Sequence, residues 1–266
     1  MVQWRLSQKQ LNLLSQCSRK FQYIYLDGLT NPDSVESEKR LAWGDRFHLL
    51  MQQRELCLPI DPLISENPQL QHCFQQFLNT APDLFTSELD SWRVAEHQRL
   101  LKIEDILLVV VYDLLITKPQ QAYIFDWKTY RRPPDRNKLA LNWQTRLYLY
   151  VLVETSHYIP EQVSMTYWFI QPQGDQPPQS LVFPYTSEQH QQTYQDLSQL
   201  IHSLQENLHH YQQGEAFPQV KIEAGLCSDC VFALHCQRTQ QQLDSASAPV
   251  SAYNLTHLDE IQEIPI

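Results

Sequence analysis

Three charged residues stand where strands should carry none. Asp113 interrupts Val109-Val110-Val111-Tyr112, Asp126 closes Tyr123-Ile124-Phe125, and Lys128 follows two residues on. A carboxylate inside a buried strand is costly unless it is paired or binds a metal. The two runs, Ile106 to Ile116 and Ala122 to Trp127, are rich in Val, Ile, Leu, Tyr and Phe. They flank Thr117-Lys118-Pro119-Gln120-Gln121, which reads as the connection of a hairpin. A turn centred between Pro119 and Gln120 sets Asp113 opposite Asp126, on one face of the pair. The strand period of two brings Lys128 to that face as well. Two carboxylates and an ammonium then converge, an arrangement that can hold a divalent cation and set a water against a phosphate. A slip of one residue would separate the aspartates and leave a buried ion pair with a spare carboxylate.

A second group is built from sulfur. Cys227, Cys230 and Cys236 lie within ten residues of a polar, loop-like segment, a metal signature more than a core one. A fourth ligand is needed, and Cys17 is the best candidate, which would join the two ends of the chain at one centre. Four thiolates suit zinc or a 4Fe-4S cluster, and His235 is an alternative ligand in a zinc site. Cys57 and Cys73 have apolar neighbours and read as plain buried thiols.

The remaining elements must hold these groups. Ser7-Gln8-Lys9-Gln10 fits a capping box opening one helix that carries Cys17 and stops at Gly28. Arg19 to Tyr23 mixes cations and aromatics, which suits either nucleic acid or the rim of a core. Residues 31–38 read as a loop, and helical periodicity resumes from Lys39 to about Glu55. Gly44 and His48 share a face of that helix, with His48 a candidate metal ligand or an ordinary half-buried histidine. Leu70, Cys73, Phe74, Phe77 and Leu78 form a packing face before the stop at Pro82. Trp92 to Leu101 alternates and reads as the strand leading into the hairpin, with Glu96 read first as an exposed strand residue and second as one that approaches the site. A helix follows from about Lys138 to Glu154, on which Gln144 and Tyr148 lie side by side. Gln162 to Gln171 and Gln179 to Tyr185 read as two further strands. Thr186 to Gln189 opens a long helix whose buried stripe includes Tyr194, Leu197, Leu204 and Leu208, and Gly214 ends it. The tail from residue 241 reads as flexible.

Composition narrows the function. A chain of 266 residues has ample length for a core, and it contains no apolar run long enough to span a membrane. The opening residues lack the form of a signal peptide, so the expected location is cytoplasmic. A formal net charge of -10 argues against a protein that coats duplex DNA. The charge is uneven, however. From Lys128 to Arg146 the cations are Lys128, Arg131, Arg132, Arg136, Lys138 and Arg146, against Asp135 alone. That stretch reads either as a solvated loop or as a face turned to phosphates.

Taken in order, these positions resemble the PD-(D/E)XK nuclease superfamily. The nearest branch is similar to the RecB-type exonuclease domains with an iron–sulfur staple, as in CRISPR-associated adaptation nucleases and the AddB subunit. The resemblance covers about Leu6 to Arg238. It rests on Ser7, Leu11, Cys17, Lys20 and Phe21; Gly44 to His48; Asp113; Asp126-Trp127-Lys128; Gln144 with Tyr148; and Cys227, Cys230 and Cys236. One position departs from the pattern: Val110 stands where the family often has glycine, which narrows room beside a substrate backbone.

The resemblance implies an α/β fold with a restriction-endonuclease-like core: a central mixed sheet flanked by helices, its terminal segments joined at a metal cluster. The nuclease domain would span residues 1–240. It implies Mg²⁺ or Mn²⁺ on His48, Asp113 and Asp126, helped by the Trp127 carbonyl. Lys128 would orient the attacking water and stabilise charge on the phosphate, and Gln144 and Tyr148 would support substrate or lysine. Cys17, Cys227, Cys230 and Cys236 would hold a structural 4Fe-4S cluster, with Zn²⁺ as the alternative. The expected activity is phosphodiester hydrolysis of DNA, on single strands or ends, in repair or recombination beside a helicase or recombination partner. The competing readings are a non-catalytic DNA-binding or scaffold subunit with the same fold, and a zinc-stabilised interaction module.

Overall fold

The hairpin forms in the register that its turn requires. In the computed structural model, β3 (Ile106–Lys118) and β4 (Gln121–Lys128) pair antiparallel from Lys118 with Gln121 to Leu114 with Phe125. One step further in that register, Asp113 faces Asp126. The ladder ends there because the Trp127 N–H donates to the Asp113 carboxylate (Oδ2, 2.6 Å). The slipped alternative is not adopted.

The structure describes residues 4–30, 35–86, 90–133, 135–171 and 176–238, with 35–38 as backbone only. The expected flexible tail, residues 241–266, lies outside them. The described chain divides into two compact units, one from residues 4–8 and 35–194, the other from 9–30 and 195–238.

The first unit holds a mixed sheet. β1 (Trp4–Leu6), β2 (Trp92–Ile103), β5 (Val163–Phe169) and β6 (Gln179–Pro184) complete it. The order is β1-β3-β4-β5-β6, with β2 also paired to β3. β1–β3 and β4–β5 are parallel; β2–β3, β3–β4 and β5–β6 are antiparallel. β2 occupies one edge of β3 along most of its length, so β1 and β4 must share the other. β1 takes Ile106 to Leu108 and β4 takes Leu114 to Lys118. The fork between them, at Val109 to Asp113, is where the sheet opens. Val110 is buried and paired with Arg99, so the valine keeps this strand regular.

Helices cover both faces. α3 (Val35–Glu55) and α5 (Pro68–Thr80) supply Phe47, Leu50, Met51, Leu70, Phe74 and Phe77, which pack with Leu114, Ile116 and Trp127. Asn67 caps α5, its side chain accepting from Leu70 N (3.0 Å), and Pro68 fits the first turn, where no donor is needed. A short helix, α4 (Asp61–Ser65), and a 3-10 turn at Pro82–Phe85 flank it. The other face meets α7 (Trp143–Glu154), preceded by α6 (Arg136–Leu141). The single helix expected from Lys138 is broken here at Asn142, which is extended and caps α7 by accepting from Gln144 N (2.8 Å). Helical periodicity does not register one extended residue between two helices, and a strong N-cap residue is the signal that does.

The second unit repeats that lesson. The expected first helix is two, α1 (Gln8–Gln16) and α2 (Ser18–Tyr25), with Cys17 extended between them at φ -157°. α8 (Ser187–Gln212) begins as expected, with Gln189 N donating to Thr186 Oγ1 and Thr186 N to Gln189 Oε1. Its stripe differs at two places: Thr193 is buried where Tyr194 is exposed, and Leu208 is half-buried. The loop expected over 31–38 is helical from Val35, and residues 31–34 lie outside the described part.

Candidate active site

The fork brings charge together. His48, on α3, places Nε2 3.0 Å from the Trp127 carbonyl and Nδ1 3.5 Å from Asp113 Oδ1. With Nε2–H donating to that carbonyl, Nδ1 faces the aspartate: protonated it turns an N–H toward Asp113, and deprotonated it offers a lone pair to a metal. The Trp127 carbonyl, expected to help a metal, is thereby engaged by the imidazole. Asp126 and Lys128 form an ion pair (Oδ1 to Nζ, 2.7 Å), both nearly inaccessible. Gln144 Nε2 donates to the other oxygen of Asp126 (2.7 Å). Tyr148 is tied to the scaffold: its hydroxyl accepts from Gln8 Nε2 (2.8 Å) and its carbonyl from the Tyr112 hydroxyl (3.0 Å).

One member of the site follows the less favoured of its two sequence readings. Glu96 lies on β2 at the position facing Asp113, and one donor atom each from His48, Glu96 and Asp113 lies within 4.8 Å of the others. The β2–β3 ladder runs on both sides, Ala95 with Leu114 and His97 with Tyr112, and omits Glu96. Its φ is +50°, a strained backbone for a residue with a side chain. The reading of Glu96 as an exposed strand residue is therefore corrected. The signal was present in the sequence. Glu104-Asp105 is a two-residue break between apolar runs, and centring a turn there sets Glu96 against Asp113, as Pro119-Gln120 sets Asp126.

Electrostatics mark this as a place for a cation. Burial, then repulsion from Asp113, pushes Glu96 up to about 7, with His48 pulling the other way. Burial raises Asp126 to about 6 against the opposing pull of Lys128. Burial opposes the charged form of His48, but Asp113 outweighs it and lifts the imidazole to about 9. Lys128 is likewise held up: burial opposes its charge and Asp126 overcomes it. Three carboxylates compressed in one buried space, beside an imidazole, fit a hard divalent ion of mixed oxygen and nitrogen preference.

Lys128 also has an aromatic wall. Its Nζ lies 5.5 Å from the centroid of the Tyr167 ring, on β5. Tyr167 pairs with Asp126 across the parallel ladder. Its hydroxyl meets Thr145 Oγ1 (2.8 Å), which in turn lies 2.6 Å from the Leu139 carbonyl.

The four cysteines of the second unit line one cavity of about 110 Å³. Cys227 and Cys230 are raised, mainly by burial. The Cys236 thiol lies 3.8 Å from the Tyr23 hydroxyl. Cys73, read as a plain thiol, is buried; Cys57 is exposed.

A family model for the PD-(D/E)XK nuclease superfamily matches residues 5–237. The chain belongs to that superfamily. The matched range includes Asp113 and the Asp126-Trp127-Lys128 tripeptide. Among solved structures, the chain is similar to a candidate exonuclease from Eubacterium rectale, at 12% identity and TM-score 0.54, covering 96% of this chain and 93% of that one. The protein SSO0001 aligns at 11% identity and TM-score 0.38, over 89% and 87%. At such identity the first likeness speaks to the fold, a mixed sheet flanked by helices. Comparison with curated protein sequences gives no match. Among the described residues, no helix is long and apolar enough to cross a membrane.

Proposed function

We propose that this PD-(D/E)XK protein is a divalent-metal-dependent deoxyribonuclease acting on single strands or DNA ends. The observation that carries the reading is the fork itself: His48, Glu96 and Asp113 grouped within 4.8 Å, beside a buried Asp126–Lys128 pair. His48, Glu96, Asp113 and Asp126 would hold Mg²⁺ or Mn²⁺, which supplies charge stabilisation and an activated water. The chain's own part is positioning. Gln144 fixes one oxygen of Asp126, and Asp126 with the Tyr167 ring fixes the Lys128 ammonium. An ammonium held in place stabilises charge on a phosphate without reorganising during the reaction. Tyr148, tied to Gln8 and Tyr112, supports the helix that carries Gln144.

The cysteine cavity supports a structural cluster. Tetrahedral zinc, with Zn–S of about 2.3 Å, requires sulfurs ~3.8 Å apart. Among the described residues, the group meeting a 4.8 Å spacing is the His48 one, and the four sulfurs form no such group. A wider 4Fe-4S arrangement on Cys17, Cys227, Cys230 and Cys236 suits them better than one zinc. Iron content and colour after anaerobic purification check this; stoichiometric zinc in colourless protein would reverse it.

We place the protein in the cytoplasm, in DNA repair or recombination, with a helicase or recombination partner supplying the substrate. The test is cleavage of labelled single- and double-stranded DNA with Mn²⁺, Mg²⁺ or EDTA, beside Asp126→Asn and Lys128→Ala. Metal-dependent cleavage lost in both variants is expected. Wild-type protein that binds metal and DNA without cutting would make it a binding subunit of the same fold.

A further inference from the structure

β4 and β5 run parallel and finish side by side, Lys128 paired with Phe169, with Ile170 N–H donating to the Lys128 carbonyl (2.7 Å). In open α/β sheets ligands settle in the crevice outside the carboxyl ends of the strands. Such a crevice exists here. The segments that leave β4 and β5 wall a cavity of about 570 Å³ lined by Arg131, Arg132, Pro133, Gln171, Gln176 and Gln179.

The lining is chemically one-sided. Among the described residues it offers two guanidiniums and three primary amides, and none of these lining residues is a carboxylate. Arg131 and Arg132 are exposed, and neither is held by a hydrogen bond or ion pair to a described residue. The other cations of the stretch are spent on the fold. Arg136 donates to the Val182 carbonyl (2.6 Å), and Arg146 lies over the Trp143 ring. Asp135 caps α6, accepting from Asn137 N (2.9 Å). A planar guanidinium fork matches a phosphate, and an amide gives both a donor and acceptors to a base edge or sugar. Arg131 is three residues beyond Lys128, at most ~10 Å of chain. A volume of about 570 Å³ is that of a ligand cleft, with room for nucleotide-sized groups.

We propose that this crevice binds the sugar–phosphate backbone of a single DNA strand, the part of the substrate next to the phosphate held at Asp126 and Lys128. The inference rests on the nuclease reading for its direction, and on the crevice for its chemistry. It assigns Arg131 and Arg132 to backbone phosphates and the three glutamines to sugar and base edges.

The test is fluorescence anisotropy of a labelled single-stranded DNA oligonucleotide, with the same sequence as RNA and as duplex DNA, in EDTA over a salt series. The variant is Arg131→Ala with Arg132→Ala. Its charge-matched control is Lys39→Ala with Lys102→Ala, two exposed lysines elsewhere on the same unit. The arginine variant should bind single-stranded DNA about 10-fold more weakly. Its log–log salt slope should fall by about 1.4, or ~0.7 for each lost phosphate contact. The control should stay within twofold of wild type. Wild-type affinity and slope in the arginine variant, no wild-type binding, or tighter arginine-dependent binding of duplex or RNA would each overturn the proposal. Mn²⁺-dependent cleavage separates the two readings. Cutting with unaffected binding in the arginine variant removes the crevice and keeps the nuclease. Arginine-dependent binding without cutting keeps the crevice and removes the nuclease.

Discussion

The charged fork and the cysteine cavity are both proposed to take metal, and they are held in opposite ways. The fork takes its side chains from regular elements: His48 from α3, Glu96 from β2, Asp113 from β3, Asp126 and Lys128 from β4, Gln144 from α7. His48, Asp113, Asp126, Lys128 and Gln144 are each fixed by a hydrogen bond or ion pair, and Phe47, Phe77 and Trp127 pack together in the core. The cysteine segment from Cys227 to Cys236 is held by single turns, Cys230 N to the Cys227 carbonyl and Cys236 N to that of Phe232. Among the described residues its apolar packing is a small cluster of Cys227 and Ala233 with Val220 and Ile222, and the buried Phe232 ring against Tyr23 (5.4 Å). So few apolar groups contribute less free energy than the larger core beside the fork, and metal ligation can add to it. The fork suffers from charge; the cavity has a small core. Metal should therefore relieve repulsion in the first and create structure in the second.

The largest effect expected is on cleavage. Asp126→Asn should lower it about 10³-fold, since charge stabilisation at the phosphate is lost. The variant should also be destabilised by about 3–5 kcal/mol, because the buried Lys128 loses its counter-ion. Adding Lys128→Met should restore most of the stability and none of the activity, as urea unfolding and cleavage assays would record. An Asp126→Asn protein as stable as wild type would break the picture of a pre-formed, charge-strained fork.

Next comes the cavity. Cys230→Ser should strip the cluster and open residues 215–238 to limited proteolysis, while Mn²⁺ affinity at the fork stays within about threefold. Protection unchanged by loss of the cluster would show that the small core suffices.

The third test uses pH on metal-free protein in EDTA. Glu96 is raised to about 7, above the ~4 of unfolded carboxyls, and His48 to about 9, above its ~6.5. Both bind protons more tightly when folded. Their stabilisation is present at low pH and lost as pH rises through these values. The metal-free protein should thus lose stability from pH 5 to 9 in calorimetry. Glu96→Gln should flatten the lower half of that fall, and saturating Mn²⁺ should cancel most of it. A stability that rises with pH over that range would reject the crowded-carboxylate account.

The smallest effect is expected at the lysine wall. Tyr167→Phe keeps the ring beside Lys128 and removes only the bond to Thr145, so stability should fall by about 1 kcal/mol and cleavage by less than threefold. Tyr167→Leu should lower the turnover number more than it changes KM.

Much of this was legible in advance, for a specific reason. Strand pairing is arithmetic: once the turn at Pro119-Gln120 is placed, Asp113 and Asp126 must meet. The same sum over Glu104-Asp105 places Glu96, yet the exposed reading ranks first from sequence because an isolated glutamate in an alternating strand has an ordinary solvent-facing explanation. The helix breaks at Cys17 and Asn142 escaped notice because one extended residue barely disturbs a 3.6-residue period. Tyr194 was misplaced in the stripe of α8 because the neighbouring Thr193 is the residue that is buried.

Local chemistry written in the sequence determined the hairpin, its register, the residue types at the fork and the cluster of thiols. These depend on period, turn chemistry and neighbours close in the chain. Tertiary structure alone decided that Gln144 clasps Asp126, that Tyr167 walls Lys128, that Glu96 takes a strained backbone beside Asp113, and that Arg131 and Arg132 are left exposed over a crevice. Each of those joins residues from different elements, and sequence periodicity does not encode the distance between two packed elements.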